Sequence, residues 1–97
     1  MTMKKESVKK AAALRYRPDK DRAPRLVAKG NRRLAERIIE IAKKHQIPLQ
    51  EDPGLVEVLS SLDLYEEIPP SLYKAVAEVL IFIYRMHRRL QDLPGHP

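Results

Sequence analysis

A chain of 97 residues with 43% hydrophobic and 33% charged side chains is one small globular domain, near the lower end of sizes that build an adequate core, with no room for a second. It contains no cysteine and no tryptophan, which excludes disulfides and thiol chemistry, and no run approaches the ~20 apolar residues of a membrane span. The formal net charge of +6 directs attention to nucleic acid, anionic lipid or acidic partners.

The opening Met1-Thr2-Met3-Lys4-Lys5-Glu6 is charged, and neither an apolar core nor a small-residue cleavage site follows it, so it is no secretory signal. Residues 1–7 read as a mobile arm, 8–90 as the folded domain and 91–97 as a flexible tail. Ala11 to Tyr16 and Pro24 to Gly30 are each too short for a helix and are bounded by turn-formers, which predicts two strands. The loop between them, Arg17 to Ala23, is about seven residues long and favours an antiparallel pair. A helix follows over about Asn31 to Lys44, with Asn31 as N-cap and Leu34, Ala35, Ile38, Ile41 and Ala42 as its apolar face.

Ile47-Pro48-Leu49 reads as a short third strand, in which the proline must sit at the start or turn its nitrogen away from any ladder. Asp52-Pro53 then starts a helix, with a capping carboxylate and proline at the first helical position. Its apolar residues are Leu55, Val56, Val58, Leu59 and Leu62. Asp63 to Glu67 is a connector, Ile68-Pro69-Pro70 stiffens the approach to the last helix, and that helix runs from about Pro70 to Arg89. The order β-β-α-β-α-α predicts a small α/β sandwich: a short mixed sheet of about three strands covered by helices. The second and third strands, joined through a helix, are expected to be parallel.

The last helix is apolar on more than one side. Leu72, Val76, Val79, Leu80 and Ile83 form one face, Tyr73, Ala77, Ile81 and Tyr84 extend it, and Ala75, Phe82 and Met86 lie elsewhere. Packing on one sheet needs a stripe about 100° wide, so the surplus is either covered by the preceding helix or left as a groove for a partner peptide.

Taken in order, the strand, the Ala-Pro loop, the strand ending Val27-Ala28-Lys29-Gly30, the helix, the Ile-Pro strand, Glu51-Asp52-Pro53, Ile68-Pro69-Pro70-Ser71-Leu72-Tyr73 and Ala75 to Leu80 resemble the C-terminal cytoplasmic domain of the FlhB/YscU-type export-switch proteins of flagellar and type III secretion systems. The resemblance covers roughly Ala11 to Arg89. Larger members carry a transmembrane domain in front of this unit, which implies that this chain is a free-standing, cytoplasmic relative, associated peripherally at most with the inner-membrane export gate. Members also have a strand before their cleavage turn. Too little sequence remains here to make it, and one sheet edge is expected to be open.

Self-cleavage in such proteins occurs at an Asn-Pro-Thr-His turn, by attack of the Asn amide on its own carbonyl. In register, this chain has Glu6, Ser7, Val8 and Lys9. Glutamate has no amide nitrogen, and the proline and histidine are absent, so no self-cleavage is expected. The family's shallow apolar pocket, formed by the Ala-Pro loop and an Ala-x-x-Leu pair on the last helix, receives a short apolar signal near the N-terminus of export substrates. Its counterparts here are Ala23, Pro24, Ala77 and Leu80. The resemblance therefore implies a non-catalytic protein-interaction module whose partners are export-apparatus proteins and N-terminal segments of export substrates. A bulky or charged residue at Ala23 or Ala77 is expected to block docking without unfolding the domain.

The remaining signals are weaker. Gly30 before a helix, with Lys29, Arg32 and Arg33 nearby, is a candidate anion site, although a lone glycine is far from a P-loop and a simple turn glycine is favoured. His45 sits near a helix C-terminus, and His87 and His96 lack metal-ligand spacing, so no metal and no cofactor is expected. Ser60, Ser71, Glu51-Asp52 and Glu66-Glu67 assemble no nucleophile, base and orienter, so no catalytic residue is assigned. The alternative function is a small basic nucleic-acid-binding protein using Lys9, Lys10, Arg15, Arg32 and Arg33. Four Tyr and one Phe leave little for base stacking, and no stable nucleic-acid partner is expected.

Overall fold

The computed structural model describes residues 2–5 and 9–91, with side chains over 9–86. Among the described residues four strands and three helices follow in the order β1 (Thr2–Lys5), β2 (Lys10–Arg15), β3 (Arg25–Asn31), α1 (Arg32–Lys44), β4 (Leu49–Glu51), α2 (Pro53–Leu59) and, after one 3₁₀ turn at Pro70–Leu72, α3 (Tyr73–Gln91). The sheet order is β3-β2-β1-β4, with β1 antiparallel to β2 and parallel to β4. The α/β sandwich with a mixed sheet is therefore present, and its strand count is four where about three were expected.

The extra strand corrects two expectations. Thr2 to Lys5, read as part of a mobile arm, pair with Lys10 to Ala13 on one side and Leu49 to Glu51 on the other. A polar segment lacking a hydrophobic period can still pair, because its backbone supplies the ladder while flanking strands supply the contacts. β3 and β4 do point the same way, as expected of a helix-linked pair, but β2 and β1 separate them. Glu6, Ser7, Val8 and residues 92–97 of the expected tail lie outside the described residues.

Three consecutive alanines make β2 the layer on which both sides pack. Neighbours in a strand face opposite ways. Ala11 joins Ala35 and Ile39 of α1, whereas Ala12 and Leu14 join Leu55, Val56 and Leu59 of α2 and Val76 of α3. Alanine is a poor strand former, but its small side chain lets helices approach the central strands from both faces. A register shift after Ala13 places Leu14 opposite Leu26, leaving Val27 as the extra residue of a bulge. In unbroken register Leu14 would face Val27, and Leu26 would leave the core, so the bulge puts both leucines into one cluster.

The helix faces follow the sequence with one shift. In α1 the buried residues are Ala35, Ile39 and Ala42, while Leu34 and Ile41 are exposed. The pairs Leu34-Ala35, Ile38-Ile39 and Ile41-Ala42 allow two helical stripes; the expected face had Ala35, Ala42 and the half-buried Ile38 right, but included the exposed Leu34 and Ile41 and missed Ile39. Leu34 lies over Gly30, where a Cβ would collide with its side chain, so Gly30 is a glycine of close approach at the end of β3. Asn31 stands at the N-cap position but makes no side-chain capping bond. At the other end, Gln46 adopts φ 57°, with Gln46 N donating to Lys43 O and Ile47 N to Ala42 O, a Schellman closure with His45 as C-cap. In α2, Asp52 Oδ1 accepts from Leu55 N at 3.1 Å with Pro53 in the first turn, as expected, although Val58 is exposed.

The connector after α2 covers the outer edge of β3. Tyr65 N donates to Leu26 O at 2.6 Å, Leu26 N to Glu66 O at 3.0 Å and Ile68 N to Pro24 O at 2.9 Å. Lys29 Nζ donates to the carbonyls of Ser60 at 3.2 Å and Leu62 at 2.6 Å, fastening the end of α2 to the same strand. A strand before residues 6–9, for which too little sequence was expected to remain, is thus present as β1 beside β2, so the edge expected to be left open there is filled, while the connector covers the outer edge of β3. Lys29→Met keeps the aliphatic stem and strands two half-buried carbonyls, so it should destabilise the domain by about 1–3 kcal/mol in urea unfolding. A change below about 0.5 kcal/mol, the range of an ordinary surface substitution, contradicts this role.

Candidate functional site

The loop joining β2 to β3 is built around one carboxylate. Asp21 is only 6% exposed at its side chain. Its Oδ2 accepts from Arg17 N at 2.9 Å and lies 3.6 Å from Arg17 Nε, while Oδ1 lies 4.0 Å from Arg25 Nε. Lys20 N and Asp21 N both donate to Arg17 O, closing a compact turn. The Arg17 backbone N–H, opposed by burial and then helped by the guanidinium charges of Arg17 and Arg15, holds the Asp21 carboxyl below the ordinary carboxylate value. Beyond the turn, Glu67 accepts from Arg22 and Arg25, each at 3.4 Å, and Arg25 Nη1 donates to Tyr65 O at 3.0 Å.

These contacts set Ala23 and Pro24 against α3. Proline has no N–H to give a neighbouring strand, but the Pro24 carbonyl takes the amide of Ile68. Ala23, Pro24, Ala77 and Leu80 all line one cavity of about 180 Å³, together with Ile68 and Val76 as apolar walls. All four residues expected from the sequence to form the pocket are thus brought together. Their exposure differs, which corrects one expectation. Ala77 is exposed, but Ala23 is 3% exposed and belongs to the main core cluster. A carboxylate at position 23 would be buried without a partner, so that substitution should unfold the domain as well as fill the cavity.

Sequence reasoning missed Tyr16, Arg22 and Tyr73, which complete the rim. A second cavity, of about 600 Å³, shares Tyr16, Pro24 and Leu80 with the first and continues past Ile81 and Tyr84 to Arg85. The two form one trough. Its length comes from Ile81, Ile83, Tyr84 and Arg85 of α3; Tyr84 is 65% exposed and Phe82, outside the trough, 54%, so α2 does not cover the surplus apolar surface of the described side chains. Among the described side chains of α3 only Val76 is fully buried, with Ala75, Val79 and Leu80 half-buried against the same cluster.

The other candidates do not assemble into a site. Lys29 is committed to the carbonyls of Ser60 and Leu62, and the backbone N–H of Arg32 donates to Lys9 O at 2.7 Å, so neither of these donors is available to the candidate anion site beside Gly30. Arg32 and Arg33 are exposed. Of the residues named for nucleic acid, Lys9 pairs with Glu36 at 3.1 Å and Lys10 with Glu57 at 3.0 Å, surface pairs that partly offset two of those charges. Among the described residues no helix is long and apolar enough to cross a membrane.

Because the folded state lowers the Asp21 pKa, its stabilisation of the turn is complete above the unfolded value near 3.8 and is lost as the pH falls through the lower folded value. An NMR titration of the Arg17 amide should therefore have its midpoint below 3.8, and Asp21→Asn should abolish the transition. A midpoint at or above 3.8 contradicts the placement of this carboxylate.

A family model described as the FlhB HrpN YscU SpaS family matches residues 7–83. The chain is 42% identical to Bacillus subtilis YlqH over 85 residues, which covers 88% of this chain and 91% of that protein. It is 43% identical to the flagellar biosynthetic protein FlhB of Aquifex aeolicus over 74 residues, 75% of this chain but only 21% of the relative's length. The crystal structure of the cytoplasmic domain of FlhB from Shewanella putrefaciens superposes with a TM-score of 0.85 at 26% identity, covering 99% of this chain and 78% of that one. The matched region holds β2 through most of α3, with both walls of the trough, and the chain belongs to the FlhB HrpN YscU SpaS family.

Proposed function

We propose that this protein is a non-catalytic interaction module of flagellar or type III protein export, and that its trough docks apolar N-terminal segments of export substrates or components of the export gate. What supports the reading is the convergence of Ala23, Pro24, Ala77 and Leu80 on one cavity open to solvent. A volume of about 180 Å³ lies below the range that holds a whole small molecule and suits one large apolar side chain. The alanine at position 77 leaves the opening wide, and Leu80 and Val76 offer apolar contact. The site of action would be the cytoplasmic face of the export gate.

Glu6-Ser7-Val8-Lys9 stands where the family's self-cleavage turn is expected, and glutamate offers no amide nucleophile. The protein would therefore act in one fixed state instead of switching by cleavage.

The test is binding of substrate N-terminal peptides, measured by fluorescence anisotropy. Ala77→Asp places a charge at the opening, on an exposed helix position, so it should weaken binding at least about tenfold while unfolding within about 0.5 kcal/mol of the parent. Undiminished binding by a folded Ala77→Asp variant would remove the pocket from the account. Intact-mass measurement of the purified chain after prolonged incubation should show no scission at residues 6–9, and a clean cut there would overturn the fixed-state reading.

A further inference from the structure

We infer that the polypeptide received by the trough carries acidic residues beside its apolar anchors, so that the partner is an acidic amphipathic segment; this rests on the docking reading above. The argument is one of charge. Among the described residues the charged side chains lining the two joined cavities are Arg22 in the first and Arg85 in the second, and no carboxylate lines either. Arg22 is 89% exposed, and its contact with Glu67 at 3.4 Å is a solvent-screened surface pair that a visiting carboxylate can share or replace. Arg85 makes no ion pair with a described residue.

Geometry places these charges usefully. Arg22 lies beside Ala77 and Arg85 beside Tyr84, and the eight helical steps from Ala77 to Arg85 span about 12 Å. An apolar floor thus runs between two cationic ends whose helix positions lie about one and a half Debye lengths apart at physiological salt, and well within one at low salt. The low-dielectric walls focus a positive potential along it. A second copy of this chain is a poor occupant, because a net charge of +6 on each molecule opposes bringing two such basic rims together. A segment with apolar anchors and carboxylates at either end satisfies both features at once.

The experiment uses the full chain and three fluorescein-labelled synthetic peptides with the same Phe and Leu anchors, flanked by Asp and Glu, by Asn and Gln, or by Lys. Anisotropy should show the acidic peptide binding about tenfold tighter than the amide peptide at low salt, the combined effect of two rim pairs, with the basic peptide weakest. The difference should shrink at high salt and vanish in the Arg22→Gln, Arg85→Gln double variant, whose thermal unfolding should match the parent. Equal affinity for the acidic and amide peptides would overturn the inference while leaving the docking reading intact. If no peptide binds, or if Ala77→Asp leaves all binding unchanged, both fall. Self-association abolished by Ala77→Asp would also overturn the inference, since the trough would then belong to a second copy.

Discussion

The backbone pairing of residues 65–68 with the outer edge of β3 is the interaction on which the functional surface depends. Three hydrogen bonds, Tyr65 N to Leu26 O, Leu26 N to Glu66 O and Ile68 N to Pro24 O, fix a connector with no regular structure of its own. An edge strand would otherwise present unpaired donors and acceptors to any passing chain. The same bonds deliver Ile68 into the core at 2% exposure and set the start of α3 beside the Ala23-Pro24 loop. Pro69 follows with φ −70° and ψ 155°, extended backbone that turns the chain from the strand edge into the 3₁₀ turn. One short segment therefore closes the sheet on that side and positions both walls of the trough.

The trough exists because, over its described side chains, α3 enters the core only near its start. Val76 enters the core and its neighbours are half-buried, but Ile81, Phe82, Tyr84 and Met86 remain about half or more exposed. In a domain this small, α2 has seven residues and is spent on covering the β1–β2 face, so it does not reach the exposed side chains from Ile81 to Met86 of α3. An apolar surface of this kind, rimmed by polar residues, marks an interaction site more often than a packing failure. The loop opposite is held independently of α3 by Asp21, Arg25 and Glu67, so its wall stands whether or not the trough is filled.

Much of this was legible in the residues. Pro and Gly punctuation located β2, β3, α1 and the start of α2 to within one or two residues, and Asp52-Pro53 announced the cap of α2, which ends at Leu59, short of the expected Leu62. The four pocket residues, named through family resemblance and not through periodicity, meet in space. What escaped the sequence has physical causes. β1 has no apolar alternation, so only its partners reveal it. The α1 stripe was ambiguous between adjacent apolar pairs. Lys29 looks like a surface cation until the carbonyls at the end of α2 are placed within its reach. Tyr16, Arg22 and Arg85 entered the site by tertiary placement, with no local pattern to single them out. The burial of Ala23 was equally invisible, since a small residue in a loop reads the same whether it is floor or rim.

The central claim is that the Ala23-Pro24 loop and α3 frame an apolar opening that admits a side chain from another polypeptide. Methyl-resolved NMR of the full chain with a substrate N-terminal peptide tests it most directly. The account predicts intermolecular NOEs from the peptide's apolar side chain to the methyls of Ala77, Leu80 and Val76, with the Ala35 and Ile39 methyls on the opposite face of the sheet unperturbed. NOEs confined to the α1 face, or a bound peptide with none to Ala77 and Leu80, would contradict it.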